Sequence, residues 1–184
     1  TSAIPMTLGT TTVNNTRIRG YLENGTALLV SSNIATVENV FINITGSSAA
    51  DATNFDGASQ TLLTNVTAYA PDRGTHIDGT DSIVRDSLFS GGGTMVLYEK
   101  TGLFSNSIVI GSGAFSCVAG RTNTNVTFII KDSTIVCAVS SAVSLIPGTG
   151  NTHNFTFLNV SGMTPLNSSY TCTGATCVIY FQKY

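Results

Sequence analysis

The sequence predicts an all-β protein, a single right-handed parallel β-helix of about seven or eight coils, on three observations. Short β-branched and apolar runs recur along the whole chain, corners of Gly, Asn or Asp separate them, and helical periodicity is nearly absent. Strand-like runs that return every ~20–30 residues are typical of a repeat in which one coil stacks on the next.

The first strand series repeats with a period close to 23 residues. One apolar position in each run marks it: Ile18, Val40, Val66, Ile83, Phe104, Val126, Phe155 and Val178. Seven intervals cover 160 residues, and equivalent residues in stacked coils would lie ~4.8 Å apart. The alternative is a β-sandwich, but it needs strands every ~8–12 residues and hairpin turns, whereas Asn-Gly occurs once, at Asn24.

A second strand series follows a small residue in each period. Its members begin at Gly25, Gly74, Gly93, Gly113 and Ser141. The polar segment 1–13 precedes both series, and we expect it to be an extended N-terminal segment outside the β-helix domain, which would span residues 14–184. Thr1 is interpreted as a mature end left after removal of a signal peptide.

The composition predicts a secreted, extracellular protein. Only 10% of the 184 residues are charged, against about 25% in ordinary globular domains. The net charge of -2 gives no attraction to nucleic acid, and no apolar run approaches the ~20 residues of a membrane span. The surface must therefore consist of Thr, Ser, Asn and Gly, as in proteins that carry covalent sugar.

The four cysteines are expected to form two local disulfides. Cys117 and Cys137 are about one coil apart, and Cys172 and Cys177 would close a tight loop. No C-x-x-C is present and neither histidine is spaced to complete a zinc site, so we expect no metal and no cofactor.

Eight N-x-S/T sequons predict N-glycans, where chance would give roughly four. They are Asn14, Asn24, Asn43, Asn65, Asn125, Asn154, Asn159 and Asn167. The structural alternative is that Asn-Val-Thr also suits a turn that enters a strand.

From residue 54 onward, the corners resemble the polygalacturonase-like, pectin lyase-fold glycoside hydrolases. The motifs that carry the resemblance are "NFDG" (Asn54–Gly57), "APDRGTHI" (Ala70–Ile77), "SGGGTMVL" (Ser90–Leu97), "SAVSLIPGTG" (Ser141–Gly150) and "CVIYFQKY" (Cys177–Tyr184). This resemblance implies a parallel β-helix and an inverting hydrolase, in which one carboxylic acid protonates the leaving oxygen and a second carboxylate activates water.

The departures from the family fall on its catalytic residues. Asp56 and Asp72 match two of its aspartates, but Arg73 stands at a third. Gly93 stands in place of the histidine of the glycine corner, and Ser144 and Ile146 replace the basic pair that grips the substrate. We therefore interpret the glycines 91–93 as kept because the backbone turns there, although the chemistry is absent.

Other polar and aromatic residues leave alternatives open. Asp78 and Asp81 are either a displaced carboxylate pair or turn-bonding side chains, and His76 is either an acid or base or a surface residue. Arg73 and Arg85 either bind an acidic sugar, or act as a lyase base, or only solubilise the surface. Five aromatic residues are either a sugar-stacking platform or core: Tyr69, Tyr98, Phe104, Phe128 and Phe157.

Three functions follow as hypotheses. The first is a non-catalytic structural glycoprotein whose copies stack head to tail into a filament or surface coat, since neither end carries an obvious cap. The second is a polygalacturonase-like hydrolase or lyase that acts on acidic polysaccharide through Asp56 and Asp72. The third is a carbohydrate-binding adhesin that holds polysaccharide without cleaving it.

Overall fold

The computed structural model describes residues 4–7, 10–92, 95–97, 101–112, 117–122, 125–138, 143–147, 151–162, 170–172 and 176–184. Within these ranges the chain forms 18 β-strands and no helix. The strands are β1 Ile4–Thr7, β2 Thr10–Asn14, β3 Arg17–Leu22, β4 Gly25–Ser31, β5 Ile34–Gly46, β6 Ala50–Tyr69, β7 Thr75–Arg85, β8 Leu88–Gly91, β9 Met95–Leu97, β10 Thr101–Ser105, β11 Ile108–Gly111, β12 Val118–Thr122, β13 Val126–Lys131, β14 Thr134–Cys137, β15 Val143–Pro147, β16 Thr152–Leu158, β17 Tyr170–Cys172 and β18 Thr176–Gln182.

Every strand pairing among these elements is parallel, so the predicted parallel β-helix is confirmed and the antiparallel sandwich is excluded. Each coil has three faces, numbered in chain order. Face 1 begins with β1, face 2 with β2 and face 3 with β3. Strand β6 is long enough to pass through all three faces of its coil. No helix that could span a membrane is found in the part of the chain that the structure describes.

When only coils with described strands on all three faces are counted, the number is slightly lower than the predicted seven or eight. Six coils have described strands on all three faces, and two further coils have them on faces 1 and 2 only. Beyond β14, face 3 continues through an isolated bridge between Thr134 and Ser161. Residues 163–169 lie outside the described ranges.

The N-terminal segment corrects the predicted domain boundary, because its described strands belong to the β-helix. β1 pairs with β4, and β2 pairs with β5. In β2, Thr11 and Val13 are buried while Thr10, Thr12 and Asn14 are exposed. The sequence predicted an extended segment outside the β-helix because threonine, at Thr11, occupies an inward position that is usually apolar.

One inward row on face 2 shows how the core is built. Each coil contributes one side chain to it: Val13, Val37, Leu63, Val84, Phe104, Ile130, Phe157 and Phe181. Seven steps cover 168 residues, or 24 per coil, close to the period found in the sequence. All members except Phe181, in the last coil, are buried.

Aromatic rings fill the core toward the C-terminus. Phe104, Phe128 and Phe157 are at most 1% exposed, so these three are core residues and not a sugar platform. Tyr69 lies on the outside of face 3, with its ring 6.2 Å from that of Phe41. Tyr98 lies outside the described residues.

The corner between faces 2 and 3 is built in the same way in seven successive coils. A residue with φ between 48° and 54° stands there each time: Asn15, Asn39, Asn65, Asp86, Asn106, Asp132 and Asn159. Asn and Asp tolerate this left-handed conformation better than other side chains that have a Cβ. Stacked members also bond to each other, since the Asn65 Nδ2 donates to Asn39 Oδ1 at 2.9 Å.

Candidate functional site

The strongest cluster of charged side chains lies at the corner that leads into β7. The guanidinium of Arg73 lies 3.4 Å from Oδ2 of Asp51, which belongs to the preceding coil. The same group lies 3.8 Å from Oδ2 of Asp72. Backbone bonds fix the corner, since Ala52 N donates to Arg73 O at 2.9 Å. The side chains of Asp51 and Asp72 are only 11% and 19% exposed.

Burial changes the acidity of both carboxyl groups. It raises the pKa of Asp51 to about 6, with the Arg73 charge opposing this rise and the Asp72 charge adding to it. Burial also raises the pKa of Asp72, again against the effect of Arg73. A carboxyl group that titrates near pH 6 can serve as a general acid. Here, however, one guanidinium contacts both carboxylates, whereas inverting hydrolysis needs room for sugar and water at its two carboxyl groups.

Asp51→Asn is expected to weaken the dependence of stability on pH. The folded protein holds the Asp51 proton more tightly than the unfolded chain does, so stability is greatest below about pH 4 and falls as the pH rises to about 6. Asparagine removes the charge, and the variant should exceed the parent in free energy of unfolding by about 1–2 kcal/mol at pH 7, after allowance for solvent screening. Urea unfolding at pH 4 and pH 7 measures this difference.

The matched control is Asp56→Asn, because Asp56 is an exposed carboxylate of the same strand. Its free energy of unfolding should stay within about 0.5 kcal/mol of the parent at both pH values. If the free energy of unfolding depends on pH equally in Asp51→Asn and in the parent, Asp51 is not the residue responsible for the pH dependence.

The two aspartates singled out by the resemblance are not brought into one site. Asp56 follows Asp51 by five residues along one strand, about 16 Å, and so lies away from the Arg73 cluster that contains Asp72. Asp56 is in register with Asp78, whose side chain lies outside the described ones. At this point a bulge interrupts the pairing of β6 with β7, and Gly57 has a positive φ of 69°.

The other polar candidates are scattered over faces 1 and 2. His76 is half-buried on face 1, in register with Asn54 and Val96. Asp81 and Arg85 are exposed on face 2, and Asp81 accepts a hydrogen bond from the Thr101 hydroxyl. The described residues contain no group of three or more His, Cys, Asp or Glu side chains that could hold a metal ion.

The glycine corner is explained by close contact between coils. Neither Gly91 nor Gly92 has a positive φ, so a left-handed turn is not what requires glycine at these two positions. A Cβ on Gly91 would lie 2.5 Å from the Asp72 carbonyl oxygen, and one on Gly92 would lie 2.8 Å from that of Pro71. This corrects the turn interpretation. Gly93 itself lies outside the described residues, as do the side chains of Ser144 and Ile146.

Inward apolar residues of the first and last described coils are not all fully buried. At the N-terminal end a hollow of about 580 Å³ reaches Val13, Ile18 and Leu28. At the C-terminal end β18 pairs with β16 alone among the described strands, and its inward residues Ile179 and Phe181 are only half-buried. Ile18 in the first coil is likewise only half-buried, whereas Val13 and Leu28 are buried.

The structure places seven of the eight sequons. Asn14, Asn24, Asn65, Asn125 and Asn159 are exposed, and Asn43 and Asn154 are half-buried. Asn65 and Asn159 also occupy the left-handed corner, where the Asn159 Nδ2 donates to Asp132 Oδ1 at 2.9 Å. These two therefore have a role in a turn whether or not they carry sugar. Asn167 lies outside the described residues.

The predicted disulfide between Cys117 and Cys137 is confirmed, with 5.8 Å between the Cα atoms. It joins the beginning and the end of the sixth coil. Cys177 is also disulfide-bonded. The side chain of Cys172 lies outside the described ones, and its pairing with Cys177 stays a prediction.

No protein-family model, curated protein or solved structure matches the chain. The parallel β-helix therefore rests on strand pairing, and the resemblance to polygalacturonase-like enzymes rests on the sequence motifs alone. Sequence reasoning missed Asp51, the most perturbed carboxyl group. The available signal was its spacing, because Arg73 follows Asp51 by 22 residues, about one coil.

Proposed function

We propose that the protein is a secreted, non-catalytic β-helical glycoprotein whose copies stack head to tail into a glycosylated filament or surface coat. The observation that carries the proposal is the incomplete burial of apolar side chains in the first and last described coils. A hollow lies at the first coil, and half-buried Ile179 and Phe181 lie on the last described strand. Strand edges and apolar cross-sections of this kind favour association, and contact between unlike ends does not close.

The distribution of sequons supports the same proposal. Asn14, Asn24, Asn43 and Asn65 lie in the first three coils, and the others follow from Asn125 in the sixth. None of the seven placed sequons is buried in the core. Glycans at these positions would surround each joint between copies and would hinder sideways contact there.

The departures from the catalytic pattern favour a β-helix that resembles polygalacturonase-like enzymes without their activity. Asp56 is separated from the cluster of Asp51, Asp72 and Arg73, and the positions of the histidine and of the basic pair hold Gly93, Ser144 and Ile146. Hydrolysis with inversion requires two carboxylates about 6.5–9.5 Å apart across the sugar.

A second candidate function is the binding of acidic polysaccharide without cleavage. On face 3 the guanidinium groups of Arg17 and Arg19 lie 4.8 and 5.2 Å from the centre of the Phe41 ring, and Tyr69 stands beside it. Cations next to aromatic rings suit a charged sugar. The sequon Asn43 lies between Arg19 and Tyr69 in the pairing register, so a glycan there would compete for this surface.

Negative-stain imaging of the native protein tests the proposed assembly. We expect filaments with an axial repeat of roughly 38 Å, from about eight coils at ~4.8 Å each. Single particles at high concentration would contradict the proposal. Incubation with polygalacturonate should release no reducing sugar, and release that Asp56→Asn abolishes would establish the hydrolase instead. Retention on immobilised polygalacturonate without cleavage would favour the adhesin.

A further inference from the structure

We infer that the protein pairs side by side with a second copy through the outer surface of face 2, about a twofold axis that runs parallel to the two rods. In this arrangement Ile83 of one copy faces Ile83 of the other, and Asp81 of each copy faces Arg85 of the other. The contact uses one side of the rod, in its middle coils, and so does not depend on the proposed head-to-tail stacking.

The surface that carries the inference is a stripe of aliphatic side chains on the outside of face 2. Four successive coils, the third to the sixth, each place one such residue at the same position of the pairing register: Leu62, Ile83, Leu103 and Ile129. Ile83 is 36% exposed and the other three are half-buried. The first, second and seventh coils have threonine at this position, namely Thr12, Thr36 and Thr156. The stripe is therefore confined to the middle of the rod.

The stripe is concave on both sides of Ile83. A hollow of about 340 Å³ is bordered by Ile83, Leu103 and Ile129, and another of about 320 Å³ is bordered by Leu62 and Ile83. Contiguous aliphatic side chains on a surface of this kind are typical of protein interaction sites. An apolar sheet face of similar shape would fit against it.

The charges beside the stripe favour a second copy as that partner. Asp81 and Arg85 are exposed and lie two residues before and two residues after Ile83 in β7. Asp81 accepts a hydrogen bond from the Thr101 hydroxyl of the next coil, which holds its carboxylate on the outer surface. The strand thus presents an acid, an aliphatic residue and a base in a self-complementary order.

The same charges select one of two twofold arrangements centred on β7. When the rods are parallel, the strands of the two copies run in opposite directions, and Asp81 of each copy faces Arg85 of the other. Facing sheets lie ~10 Å apart, a gap that an aspartate and an arginine side chain can span together. When the rods are antiparallel, Asp81 faces Asp81 and Arg85 faces Arg85, which repel. The parallel, isologous contact is therefore favoured.

The sequons leave the stripe accessible. No N-x-S/T sequence occurs between Asn65 and Asn125, the stretch that contains Ile83 and Leu103. The sequons within the strands of face 2 are Asn14 in the first coil and Asn154 in the seventh. Glycans at these positions would border the stripe and limit contact between rods to the coils in the middle.

The size of the stripe predicts a weak and reversible contact. Four coils at ~4.8 Å, with five-residue strands, present roughly 300 Å² of each copy. Stable complexes bury about 1,200–2,000 Å² in total, so two single copies should exchange rapidly between monomer and dimer. If copies also stack head to tail, contacts along the two rods add up, and paired filaments should form.

Exchanging the two charges tests the arrangement. Sedimentation velocity of the full chain, from micromolar protein to about 1 mM at low salt, should show a reversible dimer. Asp81→Lys or Arg85→Glu alone places like charges opposite each other and should raise the dissociation constant at least about tenfold. The double variant Asp81→Lys with Arg85→Glu should restore pairing, as should mixing the two single variants in equal amounts.

Two further variants control for effects on folding and on net charge. Ile83→Thr introduces the residue that other coils have at this position, and it should weaken pairing without any change of charge. Glu23→Lys makes the same change of charge as Asp81→Lys, but between β3 and β4, and should leave pairing unchanged. Thermal unfolding of each variant checks that the fold is kept.

The outcomes separate this contact from the proposed stacking. Dimers without filaments would support the lateral contact and contradict the stacking. Assembly that none of the face 2 variants weakens, or a protein that stays monomeric at about 1 mM, would overturn the lateral contact. A double variant that pairs no better than the single variants would overturn the parallel arrangement, since only the antiparallel one keeps like charges opposed after the exchange.

Discussion

Phe157→Ala is expected to lower the free energy of unfolding by about 3–5 kcal/mol, the usual cost of removing a large aromatic side chain from a packed core. Phe157 is 1% exposed and belongs to the inward row of face 2. Its ring centre lies 6.4 Å from that of Phe155 and 4.9 Å from that of Phe181. The rigid stack of coils leaves little freedom for neighbouring side chains to fill the cavity, so we expect the loss at the upper end. The midpoint of urea unfolding measures it.

Tyr21→Ala is the control for this prediction, because Tyr21 is an aromatic residue that is 65% exposed. Its removal should change the free energy of unfolding by no more than about 0.5 kcal/mol. Similar losses in the two variants would mean that Phe157 is not part of a close-packed core.

Gly91→Ala should also destabilise the fold, by about 1–3 kcal/mol. The added methyl group would lie 2.5 Å from the Asp72 carbonyl oxygen, 3.0 Å from the Gly74 nitrogen and 3.1 Å from the Ala70 oxygen. All three are backbone atoms, which cannot rotate away as the end of a side chain can. Two neighbouring coils must therefore move apart at this corner, and thermal unfolding would report the loss.

Gly20→Ala is the matched control, since a Cβ on Gly20 would meet no atom within 4 Å. Its φ is not positive, so alanine is allowed there, and we expect no loss of stability. If Gly91→Ala is as stable as Gly20→Ala, the corner has more room than the structure indicates.

The sequence predicted the repeat and most of the core because strand alternation depends on local residue types. Val84, Phe104 and Phe157 each stand in a short β-branched or aromatic run, and such runs indicate strands without knowledge of their neighbours. Strand β2 of the first coil was missed because threonine carries little hydrophobic signal, although Thr11 is 3% exposed.

Contacts between coils were the part that the sequence could not supply. Ser87, Ser107 and Ser133 are buried because their hydroxyl groups bond across coils, as in the 3.0 Å bond from Ser87 N to Ser107 Oγ. A hydrophobic pattern does not reveal such buried serines, since their hydrogen-bond partners are 20 or more residues away in the sequence. For the same reason the sequence did not reveal why glycine is needed at position 91, or that Asp51 pairs with Arg73. Both features depend on contacts with a neighbouring coil.

The position of the Cys117–Cys137 bond determines how the rod bears tension along its axis. Every coil interface transmits the whole load, so the interface with the fewest bonds opens first. Among the described pairings on face 3, the shortest is the bridge between Thr134 and Ser161. Unwinding from the C-terminal end can release residues 138–184, roughly 160 Å of extended chain. At Cys137 the load passes through the disulfide to Cys117, and the sixth coil is bypassed. The bond thus divides the molecule mechanically into an extensible C-terminal part and a body held beyond it.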